Sequence, residues 1–258
     1  MKTFSKHVKY RVENKEIFIC FCKELLDFKI DIKYLPLIQN IQRGLNTEIL
    51  DNNDKILIEE LNRFGGLIEL QIKPIQKKDY TSIYNFLTKH LHLVRTKEFL
   101  LEKLKQYPHY FKGLYLDHEL IGVIQGFPRE DYILISEIAI EQRFRNRGFG
   151  HLLVKEFEKE TTEKIKVGAE NNAINFYKSL NFKPSIFMQF KKKNFNQNTF
   201  KDYKILYQKE YDEIIGVEIE FKEISLYSLD KLKNQFKPYS IQYLFTKTHR
   251  RLLSLADA

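Results

Sequence analysis

The chain has 258 residues, 43% of them hydrophobic and 30% charged, with a formal net charge of +9. That length suits one large domain or two small ones. No apolar run approaches the roughly 18–20 residues of a membrane helix, and the opening "MKTFSKHVKYRVENK" lacks the apolar stretch of a secretory signal, so a membrane-spanning or exported protein is not expected.

The charge is unevenly placed. Residues 1–70 hold 11 Lys+Arg and 11 Asp+Glu, whereas residues 71–195 hold 22 against 14. An excess confined to one stretch suits a polyanionic small ligand as well as it suits nucleic acid. Cys20 and Cys22 are two residues apart on an expected strand. They would face the same side, where a disulfide is strained. Buried, reduced thiols and a cytoplasmic location are the expectation.

In chain order, "HVKYRV", "EIFICF" and "ELLDFKI" read as strands, with "ENK" as the first turn. Helical patterns follow in "YLPLIQNIQRGL", "TEILDNN" and "DKILIEELNRFGG". Asp54 is the expected N-cap of the last, with Ile56, Ile58, Leu61 and Phe64 on its inner face. These elements suggest a small winged-helix-like unit over residues 1–68.

From residue 68 strands alternate with helices, which predicts an α/β unit with a mixed, mostly antiparallel sheet over 69–195. "LIELQIKPIQKKDYTSIYNFL" is a strand and a helix, and "YFKGLYLDHELIGVIQGF" is a hairpin turning at Asp117-His118. "DYILISEIAI" is a strand, "HLLVKEFEKETTEK" a helix, "IKVGA" a strand, "NNAINFYKSL" a helix and "FKPSIFMQF" a strand. Beyond a polar connector, residues 196–258 contain an alternating strand in "GVEIEFKEISL" and helical spacing in "SIQYLFTKTHRRLL".

The most informative stretch is "EQRFRNRGFGHLL". Arg145-Asn146-Arg147-Gly148-Phe149-Gly150-His151 follows a strand directly and opens a helix. Glycines let backbone come close to a ligand, successive amides form an anion-binding concavity, and the helix start adds its positive dipole end. A pyrophosphate fits that chemistry. About thirty residues later comes "NNAINFYKSLNF".

This pairing resembles the GNAT superfamily of acyl-CoA-dependent N-acyltransferases over about residues 69–192. Arg145, Gly148 and Gly150 match the first family motif, and Ala173, Tyr177 and Phe182 match the second. Asn181 stands where many members have Gly, and Asn also tolerates a left-handed helix stop. Asn171 and Asn172 lie closer to Ala173 than the family's Asn does, so Asn172 carries that role over weakly. The resemblance implies acetyl-CoA or a longer acyl-CoA as co-substrate. It puts the amides of residues 145–150, with His151 at the helix start, on the CoA pyrophosphate, and the backbone of Ile138 and Ile140 along pantetheine. Tyr177 then becomes the candidate general acid. Glu137, a charge within an apolar strand, is the candidate base, taking the amine proton directly or through water. Against these stand a packed aromatic and an ordinary polar strand position. No histidine pattern implies a metal site.

The first 68 residues resemble the PqqD-like peptide-recognition domains, which bind leader segments of ribosomally made precursor peptides. That resemblance implies a peptide strand beside Glu24, Leu25, Leu26, Asp27, Phe28, Lys29 and Ile30, lying against the helix at 54–64. A DNA-binding winged helix is disfavoured because the segment carries no net charge, and phosphate contacts dominate DNA affinity. The expected activity is therefore N-acylation of a precursor peptide whose leader binds the first domain. The alternatives are an acetyltransferase of a small amine or protein with a structural first domain, and a non-catalytic peptide adaptor. Residues 196–258 could wall an acyl tunnel, line a peptide groove or form a homodimer contact.

Overall fold

Asn14 (φ 49°) and Lys15 (φ 66°) adopt the left-handed pair that a two-residue hairpin turn requires. They join β2 (Val8–Glu13) to β3 (Glu16–Phe21), which pairs in turn with β4 (Leu26–Asp31), so the order is β2-β3-β4, antiparallel throughout. The computed structural model describes residues 1–23, 25–47, 50–91, 95–169, 173–200, 203–210, 212–220 and 229–248. The chain divides into two compact units, one of Met1–Gly126 with Glu137–Glu160, the other of Phe127–Ser136 with Thr161–Ala258.

In the first unit, β3 buries Ile17, Ile19 and Phe21 on one face, the period-two pattern of a half-buried strand. They pack with Leu37, Ile38 and Ile41 of α1 (Leu35–Arg43) and with Leu61 of α2 (Asn52–Arg63) in a cluster confined to residues 4–67. The N-cap of α2 is Asp51, not Asp54: the Asp51 carboxylate accepts from the Asp54 amide at 2.8 Å. The "DNN" assigned to a preceding helix therefore starts this one, and Asp54 lies in the first turn, where its charge complements the dipole. Of the expected inner face, Leu61 is buried, Ile58 and Phe64 pack at its margin, and Ile56 is exposed. Cys22 lies just past the end of β3 and is exposed, which corrects the expectation of two buried thiols.

Residues 2–4 form a short strand, β1 (Lys2–Phe4), pairing antiparallel with β5 (Leu67–Pro74) from Lys2 opposite Glu69 to Phe4 opposite Leu67. After β5 come α3 (Tyr80–His90), α4 (Lys97–Gln106) and the hairpin of β6 (Phe111–Leu116) with β7 (Glu119–Pro128). Asp117 and His118 turn that hairpin with positive φ. The order continues β5-β6-β7 to β8 (Ile133–Ile140), and α5 (Phe149–Glu158) follows. Strands β7 and β8 each contribute residues to both units.

The second unit orders its strands β8-β9-β13-β10-β12-β11, with β9 (Ile165–Ala169), β10 (Lys183–Lys191), β11 (Ile205–Glu210), β12 (Ile214–Glu220) and β13 (Ser240–Lys247). Among the described residues of this unit the β8–β9 pairing is parallel, and the pairings of β9 with β13, β13 with β10, β10 with β12 and β12 with β11 are antiparallel. Helix α6 (Ile174–Ser179) precedes β10, and α7 (Leu229–Phe236) precedes β13. The segment "SIQYLFTK", expected to be helical, is β13, a strand paired on both edges with β9 and β10. Its consecutive Tyr243, Leu244 and Phe245 are all buried, and such a run carries no period to separate strand from helix. Across four neighbouring strands runs one polar row: Lys166 pairs with Glu218, and Ser185 donates both to Glu218, at 2.7 Å, and to the Leu244 carbonyl. No helix among the described residues is long and apolar enough to cross a membrane.

Candidate active site

Two polar side chains are set into apolar strands of the first unit. Gln125 sits in "IGVIQGF" of β7 and Glu137 in "ILISEIAI" of β8, and both are buried. Gln125 Nε2 donates to Glu137 Oε2 at 2.8 Å, and Arg95 donates to Oε1 at 2.9 Å. Tyr80, at the start of α3, donates to Gln125 Oε1 at 3.4 Å. Burial pushes the Tyr80 phenol up, assisted by the Glu137 charge, so it stays a neutral donor. The arrangement orients a carboxylate from three elements: β7 supports it through an amide, α3 holds that amide, and the segment before α4 supplies a cation. Arg95 keeps about a third of its side chain in solvent while Glu137 keeps 5%.

At the end of β8 the chain makes a short 3-10 turn, Gln142–Phe144, and then passes Asn146 at φ 62° and Gly148 at φ 84°. These left-handed residues flank Arg147, a backbone alternation that turns successive amides toward one side. Gly148 is the N-cap of α5, and no side chain caps the amides that follow. The helix start is thus left to a ligand or to water. Arg145 Nε donates to the Ile140 carbonyl at 3.0 Å, bracing the loop against the strand. That carbonyl is one of the groups expected along pantetheine. Ile138 and Ile140 share the half-buried face of β8, opposite Glu137 and Ala139. Arg147 lies over the Phe144 ring, 5.4 Å from its centroid, and its guanidinium pKa is lowered by burial. His151, in the first turn of α5, has its pKa lowered by burial and then by Lys155 and Arg43.

Tyr177 belongs to the second unit. It is buried on α6, stacked on Phe245 at 5.2 Å and edge-on to Phe176 and Phe182. Burial raises its phenol pKa, so it too holds its proton at neutral pH. Asn171, Asn172 and Glu24 lie outside the described residues, whereas Leu25, Leu26, Asp27, Phe28, Lys29 and Ile30 lie on or beside β4. No group of three or more His, Cys, Asp or Glu able to hold a metal occurs among the described residues. The residues missed from sequence were Tyr80, Arg95 and Gln125. Gln125 carried the same signal as Glu137, one polar residue in an apolar strand; Arg95 carried none.

Residues 70–182 match the model of the Acetyltransferase (GNAT) family. The matched stretch is less than half of the chain, and it holds Tyr80, Arg95, Gln125, Glu137, the loop 145–150 and Tyr177. It has the mixed α/β architecture described above. Among solved structures, the chain is similar to Ard1 from Thermoplasma volcanium, at 18% identity over 59% of this chain and 99% of that one, with a TM-score of 0.42. It is similar to the diaminobutyrate acetyltransferase EctA of Paenibacillus lautus, solved with L-2,4-diaminobutyric acid and coenzyme A, at 11% identity over 61% and 99%, TM-score 0.41. It is also similar to Arabidopsis thaliana Naa50, solved with the bisubstrate analogue CoA-Ac-MVNAL, at 15% identity over 59% and 98%, TM-score 0.42. No curated protein matches the chain.

Proposed function

We propose that the chain is an acyl-CoA-dependent N-acyltransferase acting on an amine of a peptide. The observation that carries this reading is the uncapped start of α5 behind left-handed Asn146 and Gly148, inside a stretch that matches the GNAT family. Members of that family transfer acetyl groups from acetyl-CoA to amines. In this chain the amides of residues 145–150 would take the diphosphate, and the backbone of β8 near Ile138 would follow pantetheine. The acceptor ammonium gives up a proton to Glu137, directly or through water, and its neutral nitrogen attacks the thioester carbonyl. The C–N bond forms, the C–S bond breaks, and Tyr177 protonates the departing thiolate. The second proton, shed by the acylated nitrogen, passes through water to restore the phenol.

The peptide acceptor is supported by β4. It is an edge strand of β2-β3-β4, and among the described residues no strand lies on its outer side. Leu25 beside it is 92% exposed. A leader segment could add there as a further strand, its backbone supplying affinity, and so raise the concentration of its own reactive amine near the enzyme. In this reading residues 1–68 are a PqqD-like leader-binding domain of winged-helix type, 69–195 the transferase domain and 196–258 an extension.

The test is thiol release from acetyl-CoA by the full-length protein, with short peptides encoded beside its gene as acceptors. Transfer to one peptide, lost when Leu26 and Phe28 are replaced by Asp, supports the whole reading. Transfer to small amines alone, indifferent to those replacements, leaves the acyltransferase and removes the leader. No thiol release with either class of acceptor removes the enzyme.

A further inference from the structure

Arg43 ends α1, well outside the stretch that matches the family. Its stem nevertheless lies directly on the glycine of the anion loop. A Cβ placed on Gly148 would come within 2.9 Å of Arg43 Cγ, 3.4 Å of its Cβ and 3.7 Å of its Cα. The next residue is fixed as tightly: a Cβ on Gly44, at φ 94°, would meet Leu152 Cδ1 of α5 and Leu70 Cδ2 of β5, both at 2.8 Å. Two successive residues of the N-terminal layer are therefore seated against the start of α5, all within the first unit.

The charges there are one-sided. Arg43 is exposed, and among the described residues neither it nor Arg147 is paired with a carboxylate. His151 lies in the first turn of the same helix, where burial and then the charges of Lys155, in the last turn, and of Arg43 lower its pKa. Cations gathered at the positive end of a helix dipole repel one another until an anion joins them.

We propose that Arg43 is a phosphate ligand of the acyl-CoA site, donated by the N-terminal layer to the loop of residues 145–150. This rests on reading that loop as the acyl-CoA site. A guanidinium offers two parallel N–H donors to a phosphate, a geometry that an ammonium cannot copy. Residues 1–68 then do two things at once: they present a peptide edge at β4 and complete the nucleotide grip through α1.

The experiment is equilibrium titration of the full-length protein with CoA and with dephospho-CoA, which lacks the 3′-phosphate. Wild type is compared with Arg43→Met, which keeps the stem, and Arg43→Lys, which keeps the charge. Arg43→Met is expected to weaken CoA binding by about ten- to a hundredfold, the scale of a lost charge-assisted hydrogen bond pair. Arg43→Lys should recover part of the loss, and the ratio of wild type to Arg43→Met should shrink as salt rises. An equal loss for both ligands assigns Arg43 to the diphosphate, and a loss for CoA alone assigns it to the 3′-phosphate; either supports the proposal. Binding by Arg43→Met within twofold of wild type, or a loss that salt does not alter, overturns it and leaves the acyl-CoA site standing. Wild type that fails to bind CoA overturns the acyl-CoA reading and this inference with it.

Discussion

Arg95 and Glu137 meet at 2.9 Å, a half-buried cation against a carboxylate that the surrounding strands have closed off. The carboxylate cannot swing, because Gln125 holds its second oxygen. Glu137→Gln keeps the shape but removes the charge from both bonds. The expected cost is about 1–3 kcal/mol in a urea unfolding titration, below that of a fully buried pair because Arg95 is partly hydrated. Transfer should fall by about a hundredfold or more, and raising the pH should restore part of it by supplying neutral amine. A variant that loses stability but keeps the rate and pH profile of the wild type would make Glu137 a purely structural anchor.

Tyr177→Phe removes one hydroxyl for which no hydrogen-bond partner is recorded among the described residues, and leaves the ring stack with Phe245 intact. The unfolding free energy should therefore stay within about 0.5 kcal/mol of wild type. Loss of the acid should lower kcat by about 10²–10⁴ with little change in CoA affinity. Unchanged turnover would reduce Tyr177 to packing.

His151 gives a pH signature. Its folded pKa lies below the usual histidine value, so the ring is neutral near pH 7 before ligand arrives. A polyanion at the start of α5 favours the protonated ring and draws its pKa back up. Binding then takes up a proton, and affinity rises as pH falls from the raised pKa of the bound ring toward the depressed pKa of the free one, while staying flat above that window. Calorimetry in two buffers of different ionisation heat measures that uptake. His151→Gln should flatten the excess over the ligand's own titration; identical profiles would place the anion elsewhere.

Lys166 and Glu218 are both buried, and the Lys166 ammonium also lies 5.1 Å from the Tyr132 ring centroid and 5.6 Å from that of Tyr207. Glu218→Gln strands a cation in the sheet at a cost of about 3–5 kcal/mol. Replacing both partners, Lys166→Met with Glu218→Leu, should recover most of the loss, since no buried charge remains. Thermal unfolding of the two variants decides it; equal losses would mean that the row acts through strand register instead.

How far the fold could be read from sequence depends on the kind of interaction that makes each element. The two hairpin turns and strand β3 are local, and they stand where the residues predicted them. Strand β1 is three residues long and exists only because β5, distant in sequence, offers an edge. Strand β13 is apolar on both faces for the same reason: it lies between two partners that no local pattern announces. Asp51 displaced Asp54 as a cap because a helix start is set by one hydrogen bond, not by composition. At the site, Glu137 was legible as a charge in an apolar strand. Its orientation was not, since Arg95 reaches it from a loop whose sequence is unremarkable.

The pairing of β1 with β5 has one more consequence. Phe4 sits across from Leu67, and the Ser5 amide donates to the Gly66 carbonyl at 2.9 Å, so everything between leaves and returns through a single doorway. A segment hung on such a stem, with its own interior of Ile17, Ile19, Phe21, Ile38 and Ile41, is built like a graft. Cut at the stem and bridged by a tight turn, it could be exchanged for another without rerouting the strands that follow. What the recipient would forfeit is Arg43.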